Sequence, residues 1–169
     1  TIGVAAPATL SIGNNNIART VNVANTITIN TGSTFNVPTT SNTTHTITIN
    51  GNVINNGTIN FASDANSLCN ATFQKNGNIT VSGTGATTTF NLINVNMGTL
   101  LSNTVEFTTP SFVAANNFLT LTTGTFKLST SGASTTTPYS AAGNIPQKGA
   151  LWLNSAASTM NIGDGTTIV

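Results

Sequence analysis

TITIN, at Thr26 to Asn30, returns unchanged at Thr46 to Asn50, inside the longer runs ITINTGSTFNV (Ile27 to Val37) and ITINGNVINNGTINF (Ile47 to Phe61). In both runs apolar residues alternate with Thr, Asn or Ser, the period of two that marks a strand with one buried and one wet face. Ile27 and Ile29 therefore point inward, and Thr26, Thr28 and Asn30 point outward. Thr and β-branched apolar residues suit a pleated surface, whereas Gly and Asn between the runs suit turns because both tolerate positive φ.

The same unit recurs on either side. It reads LSIGNNNIARTVNV from Leu10 to Val23, ITVSGTGATTTFNL from Ile79 to Leu92, LTLTTGTFKL from Leu119 to Leu128 and LWLNSAASTMNI from Leu151 to Ile162. Parity places Phe35, Val37, Ile47, Ile49, Ile59, Phe61, Ile79, Val81, Phe90, Leu92, Leu119, Leu121, Phe126 and Leu128 in the core beside Ile27 and Ile29. After Leu92 the phase changes, since Ile93, Val95 and Met97 fit the other parity, which predicts a bulge or corner. No helix pattern is visible.

Short strands at regular spacing could build an antiparallel β-sandwich. The self-similar unit favours a right-handed parallel β-helix, or β-solenoid, of about seven irregular coils, because stacked copies place like residues on like. The identical pentads predict that Ile27 stacks on Ile47 and Asn30 on Asn50 in adjacent strands. The chain reads as one solenoid segment over 1–169, expected to be a piece of a longer chain since it starts on Thr1 and shows no capping element at either end. Residues 129–149, with Pro138, Gly143 and Pro146, are expected as a loop excursion.

Composition narrows the function. Seven side chains are charged, Arg19, Asp64, Lys75, Glu106, Lys127, Lys148 and Asp164, or 4% of the chain, where about 25% is usual. Thr, Asn and Ser supply 75 of 169 residues, so solubility rests on uncharged polar groups. Like charges stacked at strand spacing would repel, whereas hydroxyls and amides can hydrogen-bond along a stack. With a net charge of +1 and no cluster of Lys or Arg, nothing suits a nucleic acid or an anionic membrane surface. Membrane insertion is not expected either, as no apolar run reaches about 18 residues.

Candidate reactive groups are few. The carboxylates Asp64, Glu106 and Asp164 fall in different repeats, whereas glycosidic chemistry requires two flanking one bond. His45 has no Cys, Asp or Glu at metal-ligand spacing and reads as a surface residue beside a turn. Cys69 reads as a small core hydrophobe or an inert surface thiol. Gly83 to Gly85 and Gly163 to Gly165 are turn signals with no helix pattern after them. Sequons at Asn42, Asn56, Asn70 and Asn78 are no more than an Asn- and Thr-rich composition produces. No catalytic residue, cofactor or metal is expected. Possible surface contacts are Trp152, which parity puts outside between Leu151 and Leu153, Tyr139, and the outward Thr26, Thr28, Thr46 and Thr48.

Taken together, ITINGNVINNGTINF, NGNITVSGTGATTTFNLINVN, LLSNTVEF and FLTLTTGTFKLST resemble the large repetitive surface proteins of Bacteroidetes-type bacteria, many of which look like type IX secretion substrates. The resemblance spans roughly Ile27 to Thr130. It implies a parallel β-helix exposed at the cell surface or secreted, with adhesive or filament-forming roles, and the export machinery as a partner. It carries over no catalytic residue.

The expected function is therefore a structural or adhesive segment of a large secreted or cell-surface protein, with further coils, neighbouring subunits or glycans as partners. The alternative is a glycan-binding module. Less favoured is an ice-binding solenoid, which the Thr-Ile-Thr pairs at Thr26 and Thr46 resemble. The equivalent positions then become Thr80 and Ser82, Thr120 and Thr122, and Trp152 and Asn154, so the rank decays.

Overall fold

The computed structural model describes residues 1–140 and 144–162. Among them the chain forms seventeen short strands and no helix. The opening coils carry β1 (Thr9–Ser11), β2 (Thr20–Val23), β3 (Ile27–Ile29) and β4 (Thr34–Asn36), then β5 (Thr44–Ile49), β6 (Val53–Asn55) and β7 (Thr58–Asn60). The middle coils carry β8 (Leu68–Gln74), β9 (Ile79–Ser82), β10 (Thr87–Phe90), β11 (Ile93–Asn96), β12 (Thr104–Phe107) and β13 (Val113–Ala114). The last carry β14 (Leu119–Leu128), β15 (Thr135–Tyr139), β16 (Gly149–Leu153) and β17 (Thr159–Ile162).

Through β13, strands three apart in order pair with one another, so the chain winds as a three-faced solenoid of about six turns, close to the seven expected. The first face is β1-β4-β7-β10-β13. The second is β2-β5-β8-β11 and the first half of β14; the third is β3-β6-β9-β12, the second half of β14, and β16. Every strand pair is parallel, which rules out the sandwich. β14 belongs to two faces because it bends without a break at Gly124, whose φ of 88° suits glycine and whose missing side chain makes room for Met97.

Strand parity accounts for the core. Of the inward residues expected, all but one are buried, and Ile93, Val95 and Met97 join them after the phase change. The exception is Leu92, 43% exposed. It sits in the corner between β10 and β11, where the chain leaves the first face and strand parity lapses. Phenylalanines form a continuous stack along the axis. Phe35, Phe61 and Phe90 meet edge to face at 5.0 and 5.4 Å, and the column runs on through Phe107 and Phe112 to Phe126 and Phe118.

The register differs from the one the pentads predict. Ile27 pairs with Val53, while Ile47 pairs with Val21 below and Ala71 above. The two TITIN segments lie on different faces, because the chain between them passes from the third face across the first to the second. A complete turn is longer than the pentad spacing, and its length varies. The pairs Val105 with Phe126 and Ile59 with Thr88 mark a short turn and a long one. The repeating unit is thus three strands rather than two. The stretch from Ser129 to Gly149, expected as a loop excursion, contributes β15, which pairs with β17 and lies beside β13.

Phe90 touches the rings of Phe61, Phe73, Phe107 and Phe112, so Phe90→Ala should cost about 3–5 kcal/mol in denaturant unfolding. Ile47→Asp should unfold the neighbouring turns, whereas Thr48→Asp, one residue on but facing out, should change stability by less than about 1 kcal/mol. Equal thermal melts for the two Asp variants would contradict the inward and outward assignments.

Candidate functional site

The polar side chains outside the core sort by face, and the third face carries the group richest in chemistry. Thr80, Glu106, Lys127 and Trp152 occupy one outward column on successive strands, since Glu106 pairs with Thr80 and Lys127, and Lys127 with Trp152. Stacking opposite charges turns the strand spacing from repulsive to attractive. Lys127 Nζ lies 3.0 Å from Glu106 Oε1 and 4.0 Å from the centre of the Trp152 ring. In the neighbouring column Ser129 Oγ donates to Glu106 Oε1 at 2.7 Å, and Asn154 Nδ2 donates to Ser129 Oγ at 3.2 Å. Partial burial pulls the Glu106 carboxyl upward. Hydrogen bonds from Ser129 and Lys127, with the Lys127 charge, outweigh it and hold the group below the usual range.

Trp152 is 50% exposed, as its parity requires. Tyr139 is not a surface contact. It is buried, with its hydroxyl donating to the Asn144 carbonyl at 3.3 Å, and burial raises its pKa to about 12. The parity that would have turned it outward fails because the β15 register shifts between Thr136 and Tyr139, around Pro138, which has no N–H for the ladder. Thr26 and Thr28 lie on or beside the third face and Thr46 and Thr48 on the second, so the structure does not unite the four expected threonines. A depression of about 490 Å³ runs along Leu92, Leu119, Leu121 and Tyr139, bordered by Asn117, Thr120 and Asn144.

His45, expected at the surface, is fully buried. It occupies an inward position two residues before Ile47, a placement that strand parity alone gives. The Arg19 backbone N–H donates to Nδ1 at 3.0 Å, so the neutral ring carries its proton on Nε2, which donates to Ser41 Oγ at 2.6 Å. That tautomer gives the ring nothing with which to deprotonate Ser41. A Cβ on Gly13, whose φ is 70°, would overlap the imidazole, so the ring is sealed from above. Burial, with the Arg19 charge, lowers the His45 pKa. Cys69, paired with His45 one coil on, is likewise buried, and its thiol is raised to about 12.

The carboxylates do not converge. Asp64 lies in the corner after β7, where the backbone N–H groups of Asn66 and Ser67 donate to its Oδ1 at 2.8 and 2.7 Å. The Asn66 hydrogen bond leads in holding its pKa down. Glu106 is on β12, and Asp164, with the glycines flanking it, lies outside the described residues. Among the described residues no three His, Cys, Asp or Glu gather as a metal site. Gly83 and Gly85 pack against the backbone of Asn55 and Gly57 on the coil below, the turn role their spacing suggested.

The Glu106–Lys127–Trp152 column is not visible in the sequence, because a full turn of chain separates each member from the next and only the register unites them. Compared with protein-family models, curated proteins and solved structures, the chain matches none.

A group whose pKa is lowered on folding stabilises the fold fully above its unfolded value, about 6.5 for His, and loses that contribution as pH falls below it. Stability should therefore be level from pH 8 to about 7 and decline on acidification through about 6. His45→Gln should be less stable at pH 8 but lack this decline. Parallel pH profiles for the two proteins in urea melts would show that His45 is not the group responsible.

Proposed function

We propose that the chain is a structural or adhesive segment of a large secreted or cell-surface protein. The observation that carries this reading is the unbroken coil-on-coil stack. Each turn buries its apolar face chiefly against the next, and almost every side-chain hydrogen bond outside the corners joins residues one coil apart. Such an array forms a rigid spacer whose length grows with each added turn. The reactive side chains, His45, Cys69, Asp64 and Glu106, are each held in local structural contacts. This accords with a non-enzymatic role. The resemblance to Bacteroidetes-type surface proteins supports export to the cell surface, by a route of the type IX kind.

A second reading, glycan binding, draws on Trp152. An exposed indole with the Lys127 ammonium against its ring and Asn154 two residues along the chain offers a stacking surface with polar groups at its edge.

Antibody raised against the chain should label intact cells that produce it, and deletion of the coding segment should reduce attachment or filament formation. Confinement to the cytoplasmic fraction would overturn the reading. For the second reading, Trp152→Ala should abolish binding on a glycan array while leaving the melt within about 2 °C of the parent. An unchanged array profile would dismiss it.

A further inference from the structure

The observed register reveals a repeat that the pentad spacing conceals. On the first face, Thr9, Thr34, Thr58 and Thr87 stand in one outward column, and Ser11, Asn36, Asn60 and Thr89 in the next. Between and beside them, inward residues alternate. The four strands read TLSI (Thr9 to Ile12), TFNV (Thr34 to Val37), TINF (Thr58 to Phe61) and TTTF (Thr87 to Phe90), with SFVA following at Ser111 to Ala114. The Thr26, Thr46, Thr80, Thr120 and Trp152 positions, whose sequence suggested a decaying rank, belong to two other faces. On its own face the rank of Thr persists for four successive coils.

Three observations mark this face as a binding surface. Its pairing is unbroken from β1 through β4 and β7 to β10, whereas the second face carries a register shift at Val95 and Asn96. The outward groups therefore form a regular grid of about 4.8 Å between strands and about 6.7 Å along them. Edge-to-face packing of Phe35, Phe61 and Phe90 directly behind the grid holds it rigid.

The second observation is the state of the hydroxyls. On the second face part of the ladder engages itself, with Thr46 donating to Thr20, Thr122 to Asn94 and Thr123 to Asn96, while the Thr48, Thr72 and Thr120 hydroxyls of its other column are unengaged. On the first face, Ser11 donates to Asn36, and Asn60 accepts from the Ala62 backbone. No hydrogen bond among the described residues engages the Thr9, Thr34, Thr58, Thr87 or Thr89 hydroxyls. Their capacity faces solvent. Third, none of the seven charged residues falls on these strands, and the aromatic rings of the face all point inward.

We infer that the first face binds an ordered lattice of water, the surface of an ice crystal. Hydroxyls and amides donate and accept as water does. Threonine methyl groups restrict the orientation of the water beside them. A charge would instead orient its hydration shell radially and break a tetrahedral lattice. A fixed grid loses little conformational entropy when it docks on another fixed grid. A polysaccharide would use an exposed ring to stack on, and this face presents none. The inference goes beyond the structural role proposed above and does not depend on it.

The test is partition of the purified chain into slowly growing ice, with inhibition of ice recrystallisation as a second readout. The parent should enter ice and inhibit recrystallisation. Thr58→Tyr, which raises a ring above the middle of the grid, should need about tenfold more protein for the same inhibition. Thr48→Tyr, on the second face, should match the parent. Circular dichroism melts confirm folding of each variant, and Thr34→Lys replaces Thr58→Tyr if that chain fails to fold. Exclusion of the folded parent from ice would overturn the inference, as would equal activity of the first-face and second-face variants. Binding to crystalline cellulose or chitin that Thr58→Tyr abolishes, without ice partition, would assign the face to a polysaccharide instead.

Discussion

In-register parallel stacking is the constraint on which the rest of this molecule depends. Each side chain has its nearest cross-strand neighbours one coil above and one below, at about 4.8 Å. A residue type is tolerated only if it can sit beside its own kind or beside a partner of complementary character. Phe on Phe, Ile on Val, Thr on Thr and Asn on Thr meet that condition. Two like charges do not. The paired charges that lie directly above one another are Glu106 and Lys127, of opposite sign. A composition with 4% charged residues is thus a consequence of the architecture.

The same constraint governs polar groups that point inward. Asn55 takes a core position above Ile29, and its amide donates at 2.9 Å to both the Thr87 carbonyl and the Thr88 hydroxyl of the next coil, while its carbonyl oxygen accepts from the Gly57 N–H. His45 reaches backward instead, to the Arg19 backbone, and sideways to Ser41. In both cases a buried polar side chain is satisfied by the backbone or hydroxyl of an adjacent turn, which ties neighbouring coils together with directional bonds that packing alone lacks.

What the sequence made legible was local, and what it hid was the register. Inside and outside could be read strand by strand from parity, as Ile27, Phe61, Phe126 and the outward Trp152 show. Parity fails where the backbone leaves the strand, at the Leu92 corner, and where the register shifts within β15 around Pro138. Register was hidden because all three faces demand the same alternation. A pentad such as TITIN fits any of them, and here it fits two. Corner lengths decide which strands meet, and corners follow no period, so the Glu106–Lys127–Trp152 column and the threonine rank became visible only once the coils were counted. The signal available was the motif Thr-X-Ser/Asn/Thr-apolar, beginning at Thr9, Thr34, Thr58 and Thr87. Its intervals are unequal, too irregular to stand out beside an exact repeat.

The scarcity of charge has a consequence for the medium in which the protein can work. Screening by dissolved ions weakens electrostatic attraction and repulsion between exposed charges. Among the described residues a single ion pair is exposed to that effect. The remaining cohesion is apolar contact and neutral hydrogen bonding, on which simple electrolytes at modest strength act weakly. The shape of the fold should therefore change little as ionic strength rises from fresh water through the modest range in which charge screening acts.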